Sequence, residues 1–173
     1  MNEYKLKNGK TVIIRAVEES DYEMVQDYVA KMAEETIFTN QYVGQPRKEK
    51  DAFIKAIKNV WLQVVVDKDM IVGLISAGIC KPNHPWLKYT GSFGIHMLNV
   101  YQGQGLGTKL MNMLDDWAKD NRLHRIEGSV RTQNVSAISL YLKCGYKIEG
   151  EVKDYALINN EWHNEYLIAK ILR

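Results

Sequence analysis

The chain has 173 residues, 46% of them hydrophobic and 25% charged, with 12 Gly, 3 Pro and 2 Cys. At about 150 residues per domain this is one globular domain, residues 1–173, and a collagen-like, disordered or disulfide-scaffold class does not fit the composition. Lys and Arg total 23 against 21 Asp and Glu, a net charge of +2. The pI is about 8.4, whereas a nucleic-acid binder carries a basic stripe and a pI above about 9, so no nucleic-acid partner is expected.

Residues 1–10 are polar and charged, unlike a signal peptide, and no apolar run approaches the ~20 residues of a membrane span. A cytoplasmic protein with no membrane association is expected. Cys80 and Cys144 lie far apart, outside any CxxC or CxxxH spacing. They read as buried thiols in a reducing compartment, with no metal site.

In chain order, residues 11–15 after Asn8-Gly9 read as a strand. Ser20 and Asp21 are caps for a helix to about residue 34, with Met24, Tyr28 and Met32 on one face. A second helix covers 48–59, with Phe53, Ile54 and Ile57 inward. The connection 36–47 is long enough to suggest a surface or substrate role. Residues 61–66 and 70–79 form a hairpin about Asp67-Lys68-Asp69, and 81–85, with two prolines, ends it. A strand over 89–98 puts Phe93, Ile95 and Met97 on one face and Ser92, Gly94 and His96 on the other. A glycine turn follows and opens a helix with Leu106, Leu110, Met113, Leu114 and Trp117 at helical spacing. A strand at 125–130, a helix at 135–143 and two strands about Asn159-Asn160 close the chain. The prediction is an α/β (α+β) protein with a mixed, mostly antiparallel sheet of about seven strands and four helices.

The turn Gln102-Gly103-Gln104-Gly105-Leu106-Gly107-Thr108 carries the chemistry. Amide N–H groups at a helix start have no intrahelical partner, and alternate glycines let an anion approach them. The same glycines also suit tight strand-to-helix packing. A P-loop requires GxxxxGK[ST], but Thr108 separates Gly107 from Lys109. A dinucleotide fingerprint requires glycine where Thr108 stands. The remaining pattern is [QR]-x-x-G-x-[GA], met by Gln102, Gly105 and Gly107.

With that pattern the chain resembles the GNAT N-acetyltransferase superfamily. Asn134-Val135-Ser136-Ala137-Ile138-Ser139-Leu140-Tyr141-Leu142-Lys143-Cys144-Gly145-Tyr146 is similar to the family's N-x-x-A-x-x-x-Y-x-K-x-G-[FY] segment. Ile148-Glu149-Gly150 and the terminal hairpin resemble one bacterial branch. The likeness is good from about residue 89 onward and only in element order before residue 70. It implies the GNAT-like acyl-CoA N-acyltransferase fold and acetyl-CoA as co-substrate. The implied contacts are Gln102, Gly103, Gln104, Gly105, Leu106, Gly107 and Thr108 at the pyrophosphate. Met97, Leu98 and Asn134 are implied at the pantetheine, and Tyr141 and Lys143 in the last helix.

Acetyl transfer from a thioester to an amine needs a neutral amine and a proton for the departing thiolate. An alkyl amine is neutral in roughly one part in 2,500 at pH 7, a cost of roughly 4–5 kcal/mol, and positioning supplies much of the remaining catalysis. By resemblance Tyr141 is the proton donor, since a phenol is protonated at neutral pH. Its alternative is a core aromatic in an Ile138, Tyr141, Leu142 stripe. Asn134 reads equally as a helix cap. Several GNAT branches place a Glu on the strand before the glycine turn, but residues 89–98 contain no carboxylate. His96, Glu127 and exposed water stay open as the base.

The family builds its acceptor pocket from the 36–47 connection and the terminal hairpin, with Tyr155, Trp162 and His163. Glu34, Glu35 and Glu165 are either attractors of a cationic amine or ordinary solvated charges. A small-molecule amine such as an amino acid or polyamine is the preferred acceptor, and a protein N-terminus, as in ribosomal-protein acetyltransferases, is the alternative. A homodimer is compatible with the resemblance. A non-catalytic acyl-CoA sensor and a dinucleotide-binding oxidoreductase domain are the readings of other classes.

Overall fold

The computed structural model describes residues 2–172. Eight strands and four α-helices follow in the order β1 Asn2–Lys5, β2 Thr11–Ala16, α1 Tyr22–Glu35, α2 Lys50–Ile57, β3 Trp61–Asp67, β4 Met70–Ile79, β5 Thr90–Met97, α3 Leu106–Asp120, β6 Arg125–Arg131, α4 Val135–Lys143, β7 Lys147–Ile158 and β8 Glu161–Ile171. The strands form one sheet in the order β1-β2-β3-β4-β5-β6-β8-β7. The ladders β1–β2, β2–β3, β3–β4, β6–β8 and β7–β8 are antiparallel and β5–β6 is parallel. The sheet is therefore mixed and mostly antiparallel, with one strand more than the seven expected. The additional strand is β1, whose residues NEYK are polar and mostly exposed. It lies at the sheet edge and shows no apolar alternation. Met1, part of the segment read as unlike a signal peptide, lies outside the described residues.

The chain folds as two compact units, residues 1–78 with 94–107 and residues 79–93 with 108–173. In the first unit, Val64, Val65 and Val66 are consecutive and all buried, so β3 is covered on both faces. Helix α1 buries Val25, Tyr28 and Met32, so its inward face begins at Val25, not at the expected Met24. Asp21 precedes α1, but its carboxylate binds the Arg15 guanidinium at 2.6 and 2.8 Å and accepts from the Glu18 N–H at 2.8 Å. Arg15 holds the Asp21 carboxyl below the usual carboxylate range, against the opposing effect of burial.

In the second unit, α3 buries Leu110, Met111, Leu114 and Ala118. Met111 and Ala118 take the inward places expected for Met113 and Trp117, which are half-buried. Lys170 bridges to Asp115 at 2.6 Å. The β7–β8 turn is made by Asn159 and Asn160 at φ 52° and 63°, the left-handed pair that a tight hairpin turn requires. Both cysteines are free, Cys80 exposed and Cys144 half-buried. This corrects the expectation of buried thiols: Cys80 follows directly on the end of β4, and Cys144 caps the end of α4.

Candidate active site

The glycine turn belongs to the first unit up to Gly107. A single 3-10 turn, Asn99–Tyr101, joins it to β5. The Tyr101 hydroxyl donates to Asp67 at 2.6 Å, and burial with that acceptor pushes its pKa up to about 12. Gln102 Nε2 donates to the Met97 carbonyl at 3.2 Å and to Asn99 Oδ1 at 3.1 Å. The glutamine of the motif thus fastens the turn to the end of its own strand. Glu35 accepts from the Asn99 N–H at 2.8 Å, so this carboxylate anchors the turn's approach.

Gly103 and Gly105 adopt φ 71° and 90°, the left-handed region that other L-residues enter at a cost. A Cβ built on Gly103 meets nothing within 4 Å, which leaves open room beside the backbone. Leu106 is fully buried, and Gly107 and Thr108 are half-buried. The turn opens α3 with backbone donors that have no intrahelical partner, so it suits a phosphate. Leu98 is buried, its N–H donating to the Val72 carbonyl at 2.9 Å and its carbonyl accepting from the Tyr101 N–H at 2.9 Å. Beside it, Met97 Cβ lies 3.1 Å from where a Cβ would stand on Gly73, so only glycine admits Met97 at this distance. His96 is half-buried, and burial lowers its pKa.

The second unit holds Asn134, Tyr141, Lys143 and Glu127. Asn134 caps α4, its Oδ1 accepting from the Ala137 N–H at 3.1 Å. Gly145 at φ 89° ends the helix, and the Tyr146 N–H returns to the Tyr141 carbonyl at 3.0 Å. Tyr141 is buried and burial pushes its pKa up to about 12. The Phe93 ring meets it edge-on at 5.5 Å and Tyr146 lies 6.0 Å away. Leu142 is exposed and Ile138 half-buried, so of the Ile138, Tyr141, Leu142 stripe only Tyr141 is buried. Among the described residues no hydrogen bond satisfies the Tyr141 hydroxyl, yet it is not sealed; the Tyr146 hydroxyl is both buried and unpartnered. Lys143 is exposed at the end of α4. Glu127 accepts from Arg125 Nε at 2.8 Å, and Arg125 also grips Glu149. The parallel β5–β6 ladder comprises Thr90–Arg125, Gly91–Ile126 and Ser92–Glu127, and the next residue, Phe93, packs its ring against Gly128 instead.

Arg131 was not singled out in the sequence, and Glu165, read there as an amine attractor or a solvated charge, is buried as its partner. Arg131 on β6 and Glu165 on β8 stand opposite in register and form a buried ion pair, and the Arg131 guanidinium lies 5.0 Å from the Tyr155 ring. His163 is buried with Nδ1 unpartnered, whereas Trp162 is exposed. In the 36–47 connection, Arg47 pairs with Glu23 at 2.6 Å and also with Asp27, which ties the segment to α1. Glu34 is exposed.

A mixed, mostly antiparallel eight-stranded sheet with a glycine turn opening α3 is a fold of the acyltransferase class. The sequence profile of the acetyltransferase (GNAT) family matches residues 27–146. The chain is 30% identical over 168 residues to the L-amino acid N-acetyltransferase AaaT of Escherichia coli strain K12, covering 92% of this chain and 98% of that one. It therefore belongs to the GNAT family and is an N-acetyltransferase. The acetyltransferase of the GNAT family from Streptococcus pneumoniae superposes with a TM-score of 0.85 at 22% identity, over 94% of this chain and 99% of that one. The structure of yncA from Salmonella typhimurium with its cofactor acetyl-CoA gives 0.79 at 18% identity, over 94% of both chains. No helix among the described residues is long and apolar enough to cross a membrane, and no group of three or more His, Cys, Asp or Glu is placed to hold a metal ion.

Proposed function

We propose that residues 1–173 act as one domain that moves an acetyl group from acetyl-CoA to the primary amine of a small molecule, an amino acid first. The observation that carries the donor is the open, left-handed glycine turn of Gln102–Thr108. Its amides hold the pyrophosphate and the Met97 segment runs beside the pantetheine, while the Leu98 backbone and Asn134 Oδ1 are taken up within the protein. Lys143, exposed beyond Tyr141, adds positive charge for the nucleotide phosphates. The acceptor class is supported by the likeness to AaaT along nearly its whole length.

In the reaction the amine nitrogen forms a C–N bond to the acetyl carbon, the C–S bond breaks, and the thiolate takes a proton from the Tyr141 hydroxyl, which regains one from solvent as the base releases the amine's proton. Burial raises the Tyr141 pKa, so the phenol is fully protonated at neutral pH. His96 takes the proton lost by the amine, because burial favours its neutral form. Glu127, engaged by Arg125, attracts the cationic amine. The two free cysteines suit a reducing, cytoplasmic setting.

The test is thiol release from acetyl-CoA across a panel of amino acids, polyamines and peptides with free N-termini, beside thermal shifts with acetyl-CoA, CoA and NAD. Release with amino acids and stabilisation by both CoA species support the reading. Stabilisation without release from any amine makes the protein an acyl-CoA sensor, and release only with peptides moves the acceptor to a protein N-terminus.

A further inference from the structure

The hairpin of β1 and β2 sits against the glycine turn, within the same unit. A Cβ built on Gly105 would lie 2.7 Å from the Tyr4 hydroxyl oxygen. That hydroxyl occupies the space that any larger residue at 105 would claim. The hairpin tip is joined to the turn as well, since the Asn8 N–H donates to Gln104 Oε1 at 3.1 Å. The tip is closed by its own hydrogen bonds: Leu6 N–H donates to the Lys10 carbonyl at 2.7 Å, Gly9 N–H returns to the Leu6 carbonyl at 3.0 Å, and Lys10 N–H donates to Asn8 Oδ1 at 3.1 Å. Leu6 is buried and pins the hairpin down, while Lys7 and Lys10 are exposed on either side of Asn8. A tyrosine hydroxyl is thereby held beside amide donors that already suit an anion, and the hairpin tip that carries the two exposed lysines is joined to the same turn.

The geometry points to the β1–β2 hairpin as the second wall of the phosphate site: Tyr4 donates a hydrogen bond to a phosphate oxygen of the donor held over the turn, and Lys7 and Lys10 add charge attraction. This rests on the reading of Gln102–Thr108 as the pyrophosphate site. Tyr4 is a binding residue for the phosphates, with no part in bond making. A hydrogen bond to a charged oxygen corresponds to about a tenfold change in affinity. The charge contribution of the lysines is screened by salt.

The experiment compares acetyl-CoA with S-acetylpantetheine, which carries the same thioester and no phosphates. Tyr4→Phe is expected to raise KM for acetyl-CoA about tenfold, with kcat and the thermal midpoint unchanged and kcat/KM for S-acetylpantetheine unaffected. Lys7→Ala with Lys10→Ala is expected to raise KM for acetyl-CoA and to flatten its dependence on salt. An unchanged KM in both variants, or an equal loss on the two donors, overturns the proposal while leaving the turn's assignment intact. A wild-type protein that uses S-acetylpantetheine as well as acetyl-CoA overturns the assignment of the turn, and the hairpin proposal with it.

Discussion

The ring of Phe93 lies directly over Gly128, its Cε1 3.0 Å from where a Cβ would stand. These residues come from β5 and β6 at the point where the ladder between them has ended, and the same ring meets Tyr141 edge-on. A methyl at 128 has to push the ring, because an aromatic side chain packed on two tyrosines has little room to give. Gly128→Ala is expected to cost about 1–3 kcal/mol in urea denaturation. It should also lower kcat, since Tyr141 loses the surface that orients it.

Removing the Tyr141 hydroxyl tests the proton donor almost without structural cost. That hydroxyl has no hydrogen-bond partner among the described residues, so Tyr141→Phe leaves no group orphaned. Thermal melting should be unchanged or slightly raised. Thiol release should fall roughly 10²- to 10⁴-fold in kcat, with KM for acetyl-CoA little altered. Unchanged turnover would remove Tyr141 from the chemistry.

Helix α4 shows how far the sequence alone reaches. Its bounds, Val135–Lys143, agree with expectation because both signals are local: Asn134 caps within three residues and Gly145 stops the helix. The glycine turn is equally local. Edge strand β1 escaped because its four residues are polar and it is recognised only by pairing with Thr11–Ile14. The inward face of α1 begins one residue later than its spacing implied, since Val25 and Met24 are neighbours of similar apolarity. Long-range partners were not legible: the Arg131–Glu165 pair joins residues 34 apart, and Phe93 over Gly128 requires knowing where a parallel ladder ends. At the candidate site, the backbone part was readable and the packing around Tyr141 was not.

His96 makes stability depend on pH. Burial lowers its folded-state pKa below the ordinary value near 6.5. The unfolded chain therefore binds more protons in the window below about 6.5, and stability rises with pH across it. The contribution is fully present above about pH 6.5 and is lost as pH falls toward the folded value. Urea midpoints of the wild type should drop between about pH 7.5 and 5, and His96→Gln should drop less. If His96 is also the base, the acidic limb of kcat/KM disappears in that variant, whereas in Glu127→Gln the limb remains.

The Arg131–Glu165 pair is buried, so breaking it on one side is costly. Glu165→Ala leaves the Arg131 guanidinium without this carboxylate in a site of about 5% exposure. The loss should be about 3–5 kcal/mol, a fall of roughly 6–20 °C in Tm for a chain of this size. Arg131→Met with Glu165→Leu should recover much of it, because the methionine still packs under Tyr155. Differential scanning calorimetry of the three variants checks this, and a double variant no better than the single would show that the ion pair itself contributes net stability.

The two units are interleaved along the chain, the first needing residues 94–107 and the second needing 79–93. Neither can be cut out as one continuous segment, and limited proteolysis at a single bond will not release either. During ribosomal synthesis the strand residues Thr90–Ser92 emerge long before their partners Arg125–Glu127. The first unit is complete in sequence once Gly107 is made, while the aromatic cluster of Phe93 still waits for Tyr141 and Tyr146. A nascent chain stalled just after α3 would therefore carry every residue of the glycine turn and not yet Tyr141.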